Sequence, residues 1–179
     1  ETAAASGMSA REVRDNMAKA KTLYEPVMNN IKIKEAGGRD MAWVESVCKS
    51  YKPDVLVLDM GDKFSADGNF ARQDEALKAC AIYARQIAKT YDCAVFYMSQ
   101  LSAEAEGRSQ LNQSMMEGSR TGKAAEADLM IQIGKTNAQI EGEEEDSPMR
   151  HVNVVKNKLT GWHGRIVCEF NYLTGRYEA

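Results

Sequence analysis

The chain has 179 residues, of which 44% are hydrophobic and 27% charged. That is the make-up of about one ordinary globular domain with a core of its own, and it excludes a disordered, collagen-like or disulfide-scaffold protein. The longest apolar run, Cys93–Met98, is far short of the ~20 residues of a membrane helix, and the net charge of −3 includes five acids packed into Glu141–Asp146, so overall charge argues neither for nor against a nucleic-acid partner.

The chain opens on Glu1, with no charged segment followed by an apolar one, and reads as a fragment or processed product. Ser9-Ala-Arg-Glu12 is a capping box with Met8 and Val13 as a hydrophobic staple, predicting a helix from Ala10 to Tyr24 that Pro26 ends or kinks. Ile31–Glu35 alternates like a short half-buried strand. After Gly37-Gly38, Asp40 caps a second helix to Tyr51 that buries Trp43, Val44 and Val47.

Val55–Leu58 is apolar on both faces and ends in Asp59, the pattern of a central parallel strand covered by helices. A loop over residues 60–69 leads to a long amphipathic helix, Phe70–Tyr91, and a second apolar strand, Cys93–Ser99, that runs into Gln100. Ser102–Gln113 is a polar loop too long for a turn, a length that favours function. Gly118–Gly122 is a second polar turn. Ala127–Ile133 and His151–Lys156 read as strands flanking the acidic loop, and Arg165–Phe170 with Gly175–Glu178 as a terminal hairpin turning near Leu173-Thr174-Gly175. Cys48, Cys80, Cys93 and Cys168 form no C-x-x-C pair and no cluster with histidine, so they read as buried thiols in a reducing compartment.

Alternating helices and strands followed by a run of strands give an α/β fold that turns antiparallel at its end. Ligands gather beyond the carboxyl ends of the parallel strands in such sheets, which singles out Asp59 and Gln100. A carboxylate on a rigid strand end is placed to hold Mg²⁺ and its waters, although a plain strand-end or helix-capping Asp looks the same. An amide at the end of the next strand can touch a γ-phosphate or an attacking water. Lys156 and Lys158 project from one face as point charges for phosphate, or form a solvated strand end. His151 and His163 read as structural, Trp43 as core and Trp162 as exposed. Asp59 and Asp62 lack the D-x-D spacing of a phosphatase pair.

Taken in order, KPDVLVLDM, the long helix, CAVFYMSQLS, MMEGSRTGKAAEADLMIQIGK and VVKNKLTGWHGRIVCEFNYLTGRYEA resemble the RecA-type motor domain of DnaB-like replicative DNA helicases, most closely the helicase half of phage primase-helicases. The likeness covers about residues 40–179, and the capped helix at Ser6–Ser9 resembles the segment after that family's second core strand. It implies a RecA-like P-loop NTPase core, three-layered, with a mostly parallel central sheet and antiparallel C-terminal strands. The chain would be a single motor domain over 1–179, lacking its Walker A unit at the N-terminal side.

The same resemblance implies roles. Asp59 falls on the Walker B aspartate that holds Mg²⁺, and Gln100 on the γ-phosphate sensor. Arg108 in the loop Leu101–Gln113, and Gly118, Ser119, Arg120 and Lys123 in the turn from Glu117, fall on central-channel loops that follow single-stranded DNA. Lys156 and Lys158 fall on a pair that reaches into the neighbouring subunit's nucleotide, and Lys135 and Phe170 on positions flanking the base. The implied activity is ATP or other NTP hydrolysis with Mg²⁺, driving translocation on single-stranded DNA and unwinding, in a ring homo-oligomer such as a hexamer, in phage-infected or bacterial cytoplasm and without a membrane.

Three features depart from the family. No G-x-x-x-x-G-K-[ST] occurs, and Gly118–Lys123 has the wrong glycine spacing and no strand before it, so the chain alone is expected to hydrolyse little nucleotide. The finger position holds Lys158, not the bidentate Arg. Glu104 and Glu106 face a single Arg108 in the first loop, which leaves DNA phosphates to backbone N–H groups. A non-catalytic RecA-like assembly module and a recombinase fragment are the alternative readings.

Overall fold

The computed structural model describes residues 6–118, 121–135 and 147–178. Helix α1, Ala10–Asp15, begins on the complete Ser9–Glu12 capping box. The expected single helix is broken at Asn16, whose side chain accepts from Lys19 N and starts α2, Met17–Met28. Helix α2 runs through Pro26, which removes the bond its N–H would make to the Thr22 carbonyl, and ends two residues later at Met28. Ile31–Glu35 is not a strand: no neighbouring strand takes up its ladder, and Ile31 and Ile33 stay exposed.

Helix α3, Met41–Tyr51, is capped by Asp40 accepting from Trp43 N. Strands β1, Val55–Leu58, and β2, Ala94–Tyr97, pair in parallel, joined through α4, Gln73–Tyr91. In the main core Met41, Val44 and Cys48 of α3 meet Cys80, Ala84 and Ile87 of α4, together with Leu58 and Cys93. Complete burial of a side chain such as Met41 or Ile87 contributes about 1.5–3 kcal/mol. All four cysteines are buried free thiols, and burial pushes Cys48, Cys80 and Cys93 above the ordinary thiol range, away from the reactive thiolate.

The remaining strands, β3 (Leu129–Gly134), β4 (Met149–Asn157), β5 (Gly164–Asn171) and β6 (Arg176–Glu178), form an antiparallel sheet in chain order. The short helix α5, Gly122–Glu126, precedes it and packs on α4. The expectation of a mostly parallel central sheet therefore needs correction: among the described residues the parallel part has two strands and the antiparallel part four. Nor is β1 covered on both faces. The helices take one, and on the other Val55, Val57, Phe96 and Met98 are each more than half exposed. Among the described residues no helix is long and apolar enough to cross a membrane.

Candidate functional site at the strand ends

Asp59 directly follows β1 and is exposed, with no ion pair or hydrogen bond among the described residues. Met60 then takes a left-handed conformation (φ 55°) and the chain coils into a single turn, Gly61–Lys63. The turn is locked to the neighbouring strand by Gly61 N donating to Met98 O at 2.8 Å. Gly61 has to be glycine, since a Cβ there would lie 2.7 Å from the Tyr97 ring. Gln100 is exposed three residues beyond the end of β2, and continuing the Leu58–Tyr97 register puts it two residues past the one beside Asp59. The two residues that the sequence singled out thus share an open edge.

The tight turn aims Asp62 inward. Both of its carboxylate oxygens accept from Lys123 Nζ, at 3.0 and 2.9 Å, and Ser99 Oγ accepts from the same ammonium at 2.8 Å while donating to Asp62 at 2.6 Å. Lys123 is 5% exposed and all three of its protons are engaged. Its expected place as a DNA contact does not match this geometry, because the ammonium faces Asp62 across the core side of α5 and not solvent. Tyr97 lies alongside, and burial together with the Asp62 charge pushes its phenol well above the ordinary tyrosine range.

Gln100 is wired to the turn that follows the long loop. Its carbonyl accepts from Glu117 N at 3.1 Å, Leu101 bridges Met116, and Ser102 N donates to Met115 O at 2.7 Å. The loop is thereby closed at its base, over a small core of Leu101, Ala105, Leu111 and Met115. Asn153, buried in β4, pins the loop: its amide nitrogen donates to Ser109 O at 3.1 Å and its oxygen accepts from Leu111 N at 3.3 Å. Arg108 projects from this loop, exposed. Gly118 is held against α4, where a Cβ would come within 2.3 Å of Leu77 Cδ1, so its part is close packing. Ser119 and Arg120 lie outside the described residues.

Lys156 donates to the Ala124 and Ala125 carbonyls, and Lys158 to Ala125 O at 3.2 Å and to Asp128 at 3.5 Å. Both lysines thus hold the carbonyl end of α5, a favourable place for cations. Arg85 of α4 completes this end, donating to Glu126 O and to Asp128 at 3.0 Å. Its hydrogen bond, with Lys158 beside it, holds the Asp128 carboxyl below the ordinary range. Burial and the Lys158 charge lower the Lys156 ammonium. Lys158 keeps 45% of its side chain exposed.

Lys135 and Phe170 lie at the opposite end of the same sheet: Lys135 follows Gly134, which pairs with His151, whereas Lys156 pairs with Met130. The five residue steps from Met130 to Lys135 span about 17 Å. Phe170 makes an edge contact with Tyr172 and a tilted one with Tyr177, each at 5.1 Å, and Arg150 lies 5.5 Å above it. The sequence reading missed Asp62, Ser99, Asn153 and Arg85. Of these Asn153 left a signal, an amide among the apolar positions of HVNVVK.

Among the described residues no three His, Cys, Asp or Glu side chains converge as a metal cage. No family model and no curated protein sequence matches the chain. Solved structures do. A DnaB-like replicative helicase, described with its interactions with primase, superposes with a TM-score of 0.81 at 18% identity, over 99% of this chain and 47% of that one. A second solved structure, that of an ATPase domain, gives 0.81 at 19% identity, over 99% of this chain and 67% of that one. The chain has the fold of these helicase ATPase domains and spans about half the length of the first and two thirds of the second.

Proposed function

We propose that this chain is the greater part of the motor domain of a ring-forming replicative DNA helicase, and that it works with ATP or another NTP and single-stranded DNA. The observation that carries the reading is the shared edge where exposed Asp59 and Gln100 lie just beyond the ends of two paired parallel strands, on a fold like that of DnaB-like ATPase domains. Mg²⁺ in nucleotide sites is held by one or two carboxylates together with phosphate oxygens and waters, so one exposed, unpaired Asp59 suits it. When bound, the ion would neutralise charge on the phosphates. Gln100 would meet the γ-phosphate, and its backbone bond to Glu117 would pass a displacement on to Glu117 and Gly118.

Lys135 and Phe170 would flank the base, and Arg108, Ser119 and Arg120 would follow the DNA backbone. Lys156 and Lys158 would act on a neighbour's nucleotide. Lys135 and the Lys156–Lys158 pair lie towards opposite ends of one sheet, and this reading assigns the first to the chain's own nucleotide and the second to a neighbour's. The open face formed by Val55, Val57, Phe96 and Met98 suits cover by a strand-loop-helix unit that carries the phosphate cradle, so that 1–179 is one motor domain completed by that unit. A hexameric ring in a phage-infected or bacterial cytoplasm is the setting this reading entails.

The test is Mg²⁺-dependent NTP hydrolysis by the complete protein, with and without single-stranded DNA. Wild type is expected to hydrolyse NTP and to be stimulated by DNA, and Asp59→Ala to lose at least about 10³-fold in rate, as for other groups that stabilise phosphoryl transfer. Normal DNA-stimulated hydrolysis by Asp59→Ala would refute the assignment.

A further inference from the structure

Helix α5 is fastened at both ends to groups that the proposed function uses. Near its start, Lys123 is buried against Asp62, three residues after Asp59, and against Ser99, the residue before Gln100. At its other end, the Ala124 and Ala125 carbonyls hold Lys156 and Lys158, and Glu126 O holds Arg85. A five-residue helix is about 7.5 Å long and has little internal slack.

A buried ion pair is a poor way to gain stability, since apolar side chains of similar volume commonly serve as well. What the pair supplies is direction. Three ammonium protons on three oxygens fix where α5 sits relative to the ends of β1 and β2 more closely than apolar contact would. Asp62 is itself held by the Met60–Gly61 corner, which belongs to the same turn as Asp59.

We propose that Lys123 is a positioning residue: its bond to Asp62 and Ser99 makes α5 a rigid link between the strand ends facing the chain's own nucleotide and the Lys156–Lys158 pair offered to the next subunit. A change at the Asp59–Gln100 edge then reaches the neighbouring site through α5, in parallel with the Gln100–Glu117 bond to the DNA-facing turn. This rests on the reading of the chain as a ring NTPase.

The experiment measures steady-state NTP hydrolysis by the complete protein with saturating single-stranded DNA, for wild type, Asp59→Ala, Lys123→Met and the double variant Asp62→Asn/Lys123→Met. Lys123→Met strands Asp62 as a buried charge and can impair folding, whereas the double variant leaves no unpaired buried charge and keeps the proposal testable. The expected result is a DNA-stimulated kcat at least ~10-fold lower in the folded double variant, the size of an ordinary coupling between sites, with nucleotide KM within about twofold of wild type. A general structural defect would move KM as well. If wild type hydrolyses NTP, Asp59→Ala does not, and the double variant keeps its kcat within twofold, the link is refuted and the function stands. If wild type shows no hydrolysis, the function fails and the link with it.

Discussion

Gly118 shows how tightly single residues are specified near the site. It turns at φ +78°, and a methyl group there would meet Leu77 Cδ1 at 2.3 Å. Gly118→Ala therefore combines a disfavoured backbone conformation with overpacking, and is expected to destabilise the protein by about 1–3 kcal/mol. Denaturant unfolding measures this, and an unchanged midpoint would contradict the packing. The places of Asp59 and Gln100 just past the strand ends were legible in the sequence because each follows an apolar run that stops there. The burial of Lys123 was not, because it depends on a partner 61 positions away in the chain. The same holds for Asn153 and the loop it pins, separated by 42 positions.

Among the elements, α3 and α4 are joined by a polar clasp over their apolar contact. Tyr83 donates to Glu45 at 2.6 Å, and Tyr91 donates to the other Glu45 oxygen at 3.2 Å. The hydrogen bond to Glu45 and burial push the Tyr83 phenol up to about 12. A phenol raised in the folded state favours folding while it stays protonated, so its contribution is full below the ordinary tyrosine value of 10 and fades as pH rises from 10 toward 12. Tyr83→Phe is expected to flatten the fall of unfolding free energy over that interval, and an unaltered slope would contradict the clasp. Elements with their own start signals, such as the Ser9 capping box and the Asp40 cap, were readable from the sequence. So were β1 and β2, as apolar runs. Ile31–Glu35 had the alternation of a strand and no partner, and a strand exists only where another edge receives it.

On the scale of the whole molecule, the two sheets divide the work. The parallel pair presents Asp59 and Gln100, and the antiparallel sheet carries Lys135 and Phe170 at one end and Lys156 and Lys158 at the other. The sequence suggested the order of these pieces but not how many strands pair in parallel, since apolarity on both faces does not say what covers the second face. Here Val55 and Val57 are left open. On the proposed function, a second copy completes a site by bringing its Lys158 to Asp59. The decisive measurement is subunit mixing. Asp59→Ala and Lys158→Ala forms of the complete protein, each expected to be defective alone by about 10³-fold or more, are combined and assayed for DNA-stimulated NTP hydrolysis. Sites shared between subunits predict that the mixture regains activity well above the mean of its parts, because some interfaces pair an intact Asp59 with an intact Lys158. A mixture that never exceeds that mean would contradict the account.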